Sequence, residues 1–212
     1  MSFIHFGKKE ITFKIVYYGP ALSGKTTNLE QIHRAVDPVS RGEITILSTQ
    51  QDRTLFFDFL PLQSSIVTGF TSKFQLYTVP GQAIYNETRK LVLRGADAVV
   101  FVADSQWNRM EGNVESFENL DTNLKEHRLD LNRLPLLLQF NKRDQGDVAP
   151  AHYMDFLLNR GDTRVPTLEA VAVRCEGVFE SLNLIGRMVL ASFLKTHNVQ
   201  GRAVPDNVCI KT

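Results

Sequence analysis

Gly19-Pro20-Ala21-Leu22-Ser23-Gly24-Lys25-Thr26 is the stretch that decides the fold. It matches in full the pattern of a glycine, four residues, Gly-Lys, and then Ser or Thr. It stands between an apolar run, Ile11 to Tyr18, and a stretch of helical composition from about Thr26 to Val36. Strand, glycine-rich loop and helix in that order make a cradle for phosphate. Glycines at 19 and 24 permit the backbone geometry in which successive N–H groups surround an anion, and the helix N-terminus adds a favourable dipole. The Lys25 ammonium brings a compact positive charge toward β- and γ-phosphates, and the Thr26 hydroxyl is an oxygen donor suited to Mg2+. The expected phosphate-binding set is therefore Gly19, Leu22, Ser23, Gly24, Lys25, Thr26 and, next on the helix, Thr27.

Outward from this loop, strand-like and helix-like stretches alternate, as in an α/β domain whose mostly parallel central sheet carries helices on both faces. Ile44 to Leu47, Phe56 to Leu60 and Phe74 to Val79 read as strands, two of which can form an antiparallel hairpin. Ala98 to Ala103 and Leu136 to Phe140 are unbroken apolar runs, the mark of central strands covered on both sides. Helices are expected over Met110 to His127, Ala151 to Asn159 and Gly177 to Leu194. In the last, Val178, Leu182, Ile185, Val189 and Phe193 fall on one face. The domain is expected to occupy residues 1–196, with 197–212 as a loose tail.

Composition bounds the partners. With 43% hydrophobic and 22% charged residues, the chain has the make-up of an ordinary globular domain, not of a disordered or disulfide-stapled one. A net charge of +1 supplies no global field for nucleic acid or for an anionic membrane. Any anion must be held locally. The apolar runs are far shorter than the ~20 residues of a membrane span, so no transmembrane segment is expected. The two cysteines, Cys175 and Cys209, lack metal-ligand spacing, and a cytoplasmic location fits best. The five histidines show no metal spacing either, and Cys209-Ile210-Lys211-Thr212 carries a lysine inside the outline of a prenylation box, so no lipid anchor is inferred from it.

A phosphate loop does not choose a base. Asn141-Lys142-Arg143-Asp144 does, since it follows the apolar strand at its carboxyl end, where α/β sheets place ligands. The Asp144 carboxylate can accept from guanine N1–H and from its 2-amino group, whereas adenine offers an acceptor at N1 and no amine at C2. Lys142 is expected along the base plane, and Asn141 as a tie to the phosphate loop. Val171-Ala172-Val173, at the end of a further strand, stands where a backbone N–H can meet the guanine carbonyl, though a buried strand reads the same. GTP or GDP is thus the expected ligand, and a P-loop kinase or ATPase is disfavoured.

The phosphate loop, the guanine motif and the order of elements resemble the Ras-like small GTPases. Within that group, Lys14-Ile-Val-Tyr-Tyr-Gly-Pro20, Asp52-Arg53-Thr54-Leu-Phe-Phe-Asp-Phe-Leu-Pro61, Leu76-Tyr-Thr-Val-Pro-Gly-Gln82 and Val100-Phe-Val-Ala-Asp-Ser105 are similar to the bacterial MglA family, over about residues 1 to 195. The resemblance implies a cytoplasmic GTPase switch that sets cell polarity and motility direction through effectors, that partners recruit to the cell poles, and whose hydrolysis a Roadblock-fold MglB-type protein accelerates. It places Thr54 as a magnesium ligand that senses the γ-phosphate, Gly81 as an N–H donor to that phosphate, and Gln82 as the residue that orients the attacking water. It also makes Arg53 an arginine inserted into its own site, although taken alone Arg53 reads as a solvated residue on a polar loop. The sequence departs from the Ras-like pattern at Thr78-Val79-Pro80-Gly81, where an aspartate is expected in place of Thr78. Thr78 through its hydroxyl, Asp58 or Asp52 can fill that gap. The departure keeps a second reading open, a nucleotide-bound scaffold with negligible hydrolysis.

Overall fold

A computed structural model describes residues 3–38, 41–43, 45–48, 53–59, 70–161 and 163–197, with side chains except those of 45–48, 53–59 and 83. The Arg53 and Thr54 side chains, the Phe56 to Phe59 rings, Asp52 and the tail beyond His197 thus lie outside the described set. The chain runs β1 (Phe3–His5), β2 (Glu10–Tyr18), α1 (Lys25–Ala35), β3 (Thr45–Ser48), β4 (Arg53–Phe59), β5 (Thr71–Thr78), α2 (Asn86–Leu93), β6 (Ala98–Asp104), α3 (Met110–Glu126), β7 (Leu136–Asn141), α4 (Ala151–Leu158), β8 (Thr167–Glu169) and α5 (Val178–Thr196).

One sheet takes the order β3-β4-β5-β2-β6-β7-β8, with β1 antiparallel to the start of β2. β5, β2, β6, β7 and β8 are parallel, while β4 runs antiparallel to β5 and forms the expected hairpin with β3. Every residue of β6 and β7 is buried, as their unbroken apolar runs require. β2 is buried without a break from Ile15 to Tyr18, and its side chains alternate between the two faces. Its Ile11, Phe13, Ile15 and Tyr17 pack with Leu29 and Ile32 of α1 and with Val178, Leu182, Ile185, Val189 and Phe193 of α5. Its Val16 and Tyr18 pack on the other face with Leu93 of α2, Leu120 and Leu124 of α3, and Met154 and Leu158 of α4. Helices therefore cover both faces, and a leucine-to-alanine change at Leu120 or Leu182 is expected to cost about 2–5 kcal/mol.

Two differences from the sequence reading matter for function. Arg53, expected on a polar loop, and Thr54, expected just after one, open strand β4, where they pair with Ser48 and Leu47. The hairpin supplies backbone partners that a loop would have to find in water. The short helix α2 and the strand β1 have no strong periodicity of their own, and the further strand expected to end at 171–173 is β8, which ends at Glu169. Packing of Leu93 of α2 into the core and ladder bonds to β2 and β7 hold these elements in place.

Candidate functional site

β2, β6 and β7 end at Tyr18, Asp104 and Asn141, and the loops that leave these ends meet on one edge of the sheet. The phosphate loop leaves β2 through Gly19, whose φ is +144° and where an added Cβ would lie 2.2 Å from the Val102 carbonyl oxygen. It enters α1 through Gly24, at φ +100°, where a Cβ would lie 2.1 Å from the Asn141 side-chain nitrogen. Only glycine fits either place. Between them Leu22 adopts φ +63° and turns its side chain to solvent, while Ser23 is fully buried. Thr26 and Thr27 are half-buried on the first turn of α1.

The Lys25 ammonium is buried and folds back over the loop, where it donates to the carbonyl oxygens of Gly19 (3.0 Å) and Pro20 (2.6 Å). Its charge therefore sits inside the ring of backbone. α1 is pinned below the site by a second buried set. Asn28 donates to the Gly24 carbonyl (3.0 Å) and exchanges two amide bonds with Gln139 of β7 (2.9 and 3.0 Å), and Gln139 also donates to the Ser181 hydroxyl on α5. Buried amides satisfied in this way hold one geometry, since each broken bond leaves a buried polar group unpaired.

Asn141 joins the two sequence motifs. Its Nδ2 donates to the Ser23 carbonyl at 2.8 Å, and its Oδ1 accepts from the Ala172 N–H at 2.9 Å. Lys142 adopts φ +65° and donates through Nζ to Asp104 Oδ2 at 2.6 Å. Asp104 is fully buried. Its other carboxylate oxygen accepts from the Gln106 N–H (3.1 Å), and its backbone is clasped at both N–H and C=O by the Asn113 amide. Arg143 points away from this cluster, to Glu169 and the Ala149 carbonyl, which anchors the loop from behind. Asp144 borders a cavity of about 210 Å³ together with Leu22, Gly24, Thr27, Lys142 and Val173. In the predicted 171–173 run, the Val171 N–H bonds to the Glu176 carbonyl and the Ala172 N–H to Asn141, and Ala172 and Val173 form the cavity wall.

On the other side of the phosphate loop, Gly81 packs so closely that an added Cβ would be 2.3 Å from the Ala21 Cα and 2.9 Å from the Lys25 ammonium. Gln82 follows it, half-buried beside a cavity of about 660 Å³ between the phosphate loop and α3. Thr78 ends β5 and is fully buried. Arg53 and Thr54 are placed by their backbone alone, at the start of β4. Because β4 pairs Phe56 with Tyr77 and runs antiparallel to β5, this start lies toward the same edge of the sheet as the end of β5. Asp104, Asn28 and Asn113 are supporting residues that motif reading did not single out. Their one sequence signal is a polar residue at a position whose neighbours belong to the core.

A Gly-Lys-Thr phosphate loop at the start of α1, tied by Asn141 to an Asn-Lys-Arg-Asp loop, on a mostly parallel sheet with helices on both faces, defines a Ras-like P-loop GTPase. No family model matches the chain. Over 195 residues, which are 92% of the chain and 99% of the relative, it is 49% identical to the mutual gliding-motility protein MglA of Myxococcus xanthus (strain DK1622), and it belongs to the MglA family of small GTPases. No helix among the described residues is long and apolar enough to cross a membrane.

Proposed function

We propose that the chain is a molecular switch that binds GTP, hydrolyses it to GDP, and presents different surfaces in the two states to polarity or motility effectors. The observation that carries this reading is the Asn141 side chain, which makes the phosphate loop and the base loop one hydrogen-bonded unit. A site that recognises phosphates and base together needs such a unit.

In this reading the base enters the cavity beside Asp144, which accepts from guanine N1–H and the 2-amino group. Lys142, steered by Asp104, lies along the ring plane. Ala172 and Val173 form the wall, and Val171 holds that wall through Glu176. Gly19, Leu22, Ser23, Gly24 and Thr27 surround the phosphates with backbone and side chain, and the Lys25 ammonium exchanges two carbonyl partners for anionic phosphate oxygens, which are the stronger acceptors. The described residues include no cluster of three histidine, cysteine, aspartate or glutamate side chains. Mg2+ takes few protein ligands and keeps phosphate oxygens and water. Thr26 and Thr54 would hold it through their hydroxyls, and it would supply charge neutralisation at the β- and γ-phosphates.

Gln82 orients a water molecule whose oxygen attacks the γ-phosphorus while the bond to the β–γ bridging oxygen breaks. Gly81 donates to the γ-phosphoryl oxygens, and Arg53 stabilises the charge that spreads over them. The reaction is slow alone and accelerated when a Roadblock-fold MglB-type partner brings Arg53 and Gln82 inward. The protein acts in the cytoplasm and is recruited to the poles by its partners. A second reading, a nucleotide-bound scaffold with negligible hydrolysis, draws on Thr78, which stands where Ras-like proteins carry an aspartate. Two measurements test the proposal: the base of the nucleotide that copurifies, and GTP turnover with and without the Roadblock protein. Guanine with stimulated turnover is expected. Guanine with no turnover favours the scaffold, and adenine removes both readings.

A further inference from the structure

Arg89 of α2 is 3% exposed, and among the described residues no carboxylate pairs with it. Its guanidinium spends its donors on three acceptors: Nε on the Pro80 carbonyl at 2.9 Å, Nη2 on the Gly81 carbonyl, and Nη1 on Asn119 Oδ1 of α3 at 2.8 Å. Its face lies over the Tyr18 ring, 5.5 Å from the centroid. The Tyr18 hydroxyl donates to the same Asn119 oxygen, and burial pushes its pKa above the usual tyrosine range, so it brings no negative charge. Asn86 closes the network by accepting from Asn119 (3.0 Å) and Asn123 (2.9 Å). Burying an arginine with only neutral acceptors is costly. A solvated lysine or an apolar side chain would serve α2 as well if stability were all that mattered.

The acceptors say what the arrangement does. A trans peptide points its C=O and N–H in opposite directions. The Pro80 carbonyl belongs to the peptide that carries the Gly81 N–H, and the Gly81 carbonyl to the one that carries the Gln82 N–H. One planar fork that grips both carbonyls therefore sets the direction of both N–H groups. Bonding at each carbonyl also polarises the N–H across the peptide. Gly81 is the residue that abuts Ala21 and the Lys25 ammonium.

We infer that Arg89 is the positioning residue of the γ-phosphate response. By holding Pro80 and Gly81 against α3, it sets the peptides that meet the γ-phosphoryl group and aims Gln82. This inference rests on the proposed GTPase reading. Arg89 bonds neither the Gly19 to Thr26 loop nor the Asn141 to Asp144 loop, so its loss is expected to separate GTP from GDP. Lysine cannot replace it, because an ammonium lacks the fixed fork that spans two carbonyls and an amide.

The test uses the full chain with Arg89→Lys, Arg89→Gln and Asn119→Ala. It measures affinity for fluorescent GDP and for a non-hydrolysable GTP analogue, and single-turnover hydrolysis at saturating GTP. GDP affinity within about twofold of the parent is expected, with hydrolysis slower by roughly tenfold or more and a lowered GTP-to-GDP affinity ratio in both Arg89 variants. Asn119→Ala, which keeps the guanidinium but frees one arm, is expected to slow hydrolysis by roughly threefold or more, and it decides the matter if the Arg89 variants do not fold. Parent-like hydrolysis and ratio in the folded variants overturn the inference, as does an equal loss of GDP and GTP affinity. A parent chain that binds no guanine nucleotide overturns the reading beneath it instead, so the two failures are distinguishable.

Discussion

In the proposed reading, the base side of the site and its γ-phosphate side draw on different parts of the sheet. The base side stands on β6 and β7, interior strands buried along their whole length, and its side chains are bonded to one another: Asp104 to Lys142, and Asn141 to Ser23 and Ala172. The γ-phosphate side is assembled from the start of β4, one strand from the sheet edge, and from the Pro80–Gln82 segment, which β5 delivers and Arg89 holds. One half is set by the core and the other by contacts that span separate elements. A switch needs that division, because nucleotide must stay bound while the part that reads the third phosphate changes.

The largest expected effects fall on the assembled half. Arg53→Ala and Gln82→Ala are each expected to bind GTP normally and to lose roughly 10³-fold or more of partner-stimulated hydrolysis in single-turnover assays at saturating Roadblock protein. Full stimulation of Arg53→Ala would return Arg53 to an ordinary strand residue. Lys25→Ala lies on the boundary, and it should lower triphosphate affinity by roughly 100-fold or more while melting remains parent-like. Wild-type nucleotide affinity in a folded Lys25→Ala protein would count against the phosphate-loop assignment.

On the preset half, Asp144→Asn should weaken guanine binding by roughly 100-fold and move preference toward xanthine nucleotides, whose C2 carbonyl accepts from the new amide. Competition with XDP reads this directly, and an unchanged guanine preference would remove Asp144 from the base site. Asp104→Asn sharpens the comparison, since it touches no ligand. It should cost roughly five- to tenfold in guanine affinity by loosening Lys142, and should leave stimulated hydrolysis at saturating GTP unchanged. A change in hydrolysis alone would show that the halves are not separable. The smallest effect expected is from Tyr18→Phe, which removes one hydroxyl from the Asn119 cluster and should lower stability by about 1 kcal/mol in urea titration.

The readability of the sequence follows the same division. The Gly19 to Thr26 loop, the Asn141 to Asp144 loop and the central strands were legible as elements because each is a local pattern: glycines at fixed spacing, an aspartate three residues beyond an asparagine, an unbroken apolar run. Helix α5 was legible because Val178, Leu182, Ile185, Val189 and Phe193 repeat at helical period, and all five are buried. Arg89, Asn28, Asn113 and Asn119 were not legible. Each is a polar residue on a helix, which in sequence looks solvated, and its burial depends on strands and helices 9 to 111 residues away. Asp104 lay inside a recognised run, but its task follows only from Lys142, 38 residues on. Arg53 looked like loop because nothing local announces that β3 will offer it backbone partners.

Gly24 and Asn141 have a consequence for substitution. No side chain can be added at 24 while the Asn141 amide occupies its place, and no shorter residue at 141 can bridge Ser23 to Ala172. The two positions, 117 residues apart, are therefore epistatic. A substitution at either, made alone, loses the bridge or strains the loop. Such a pair works as a steric lock, in which a loop and a strand end far apart in the chain accept changes only together.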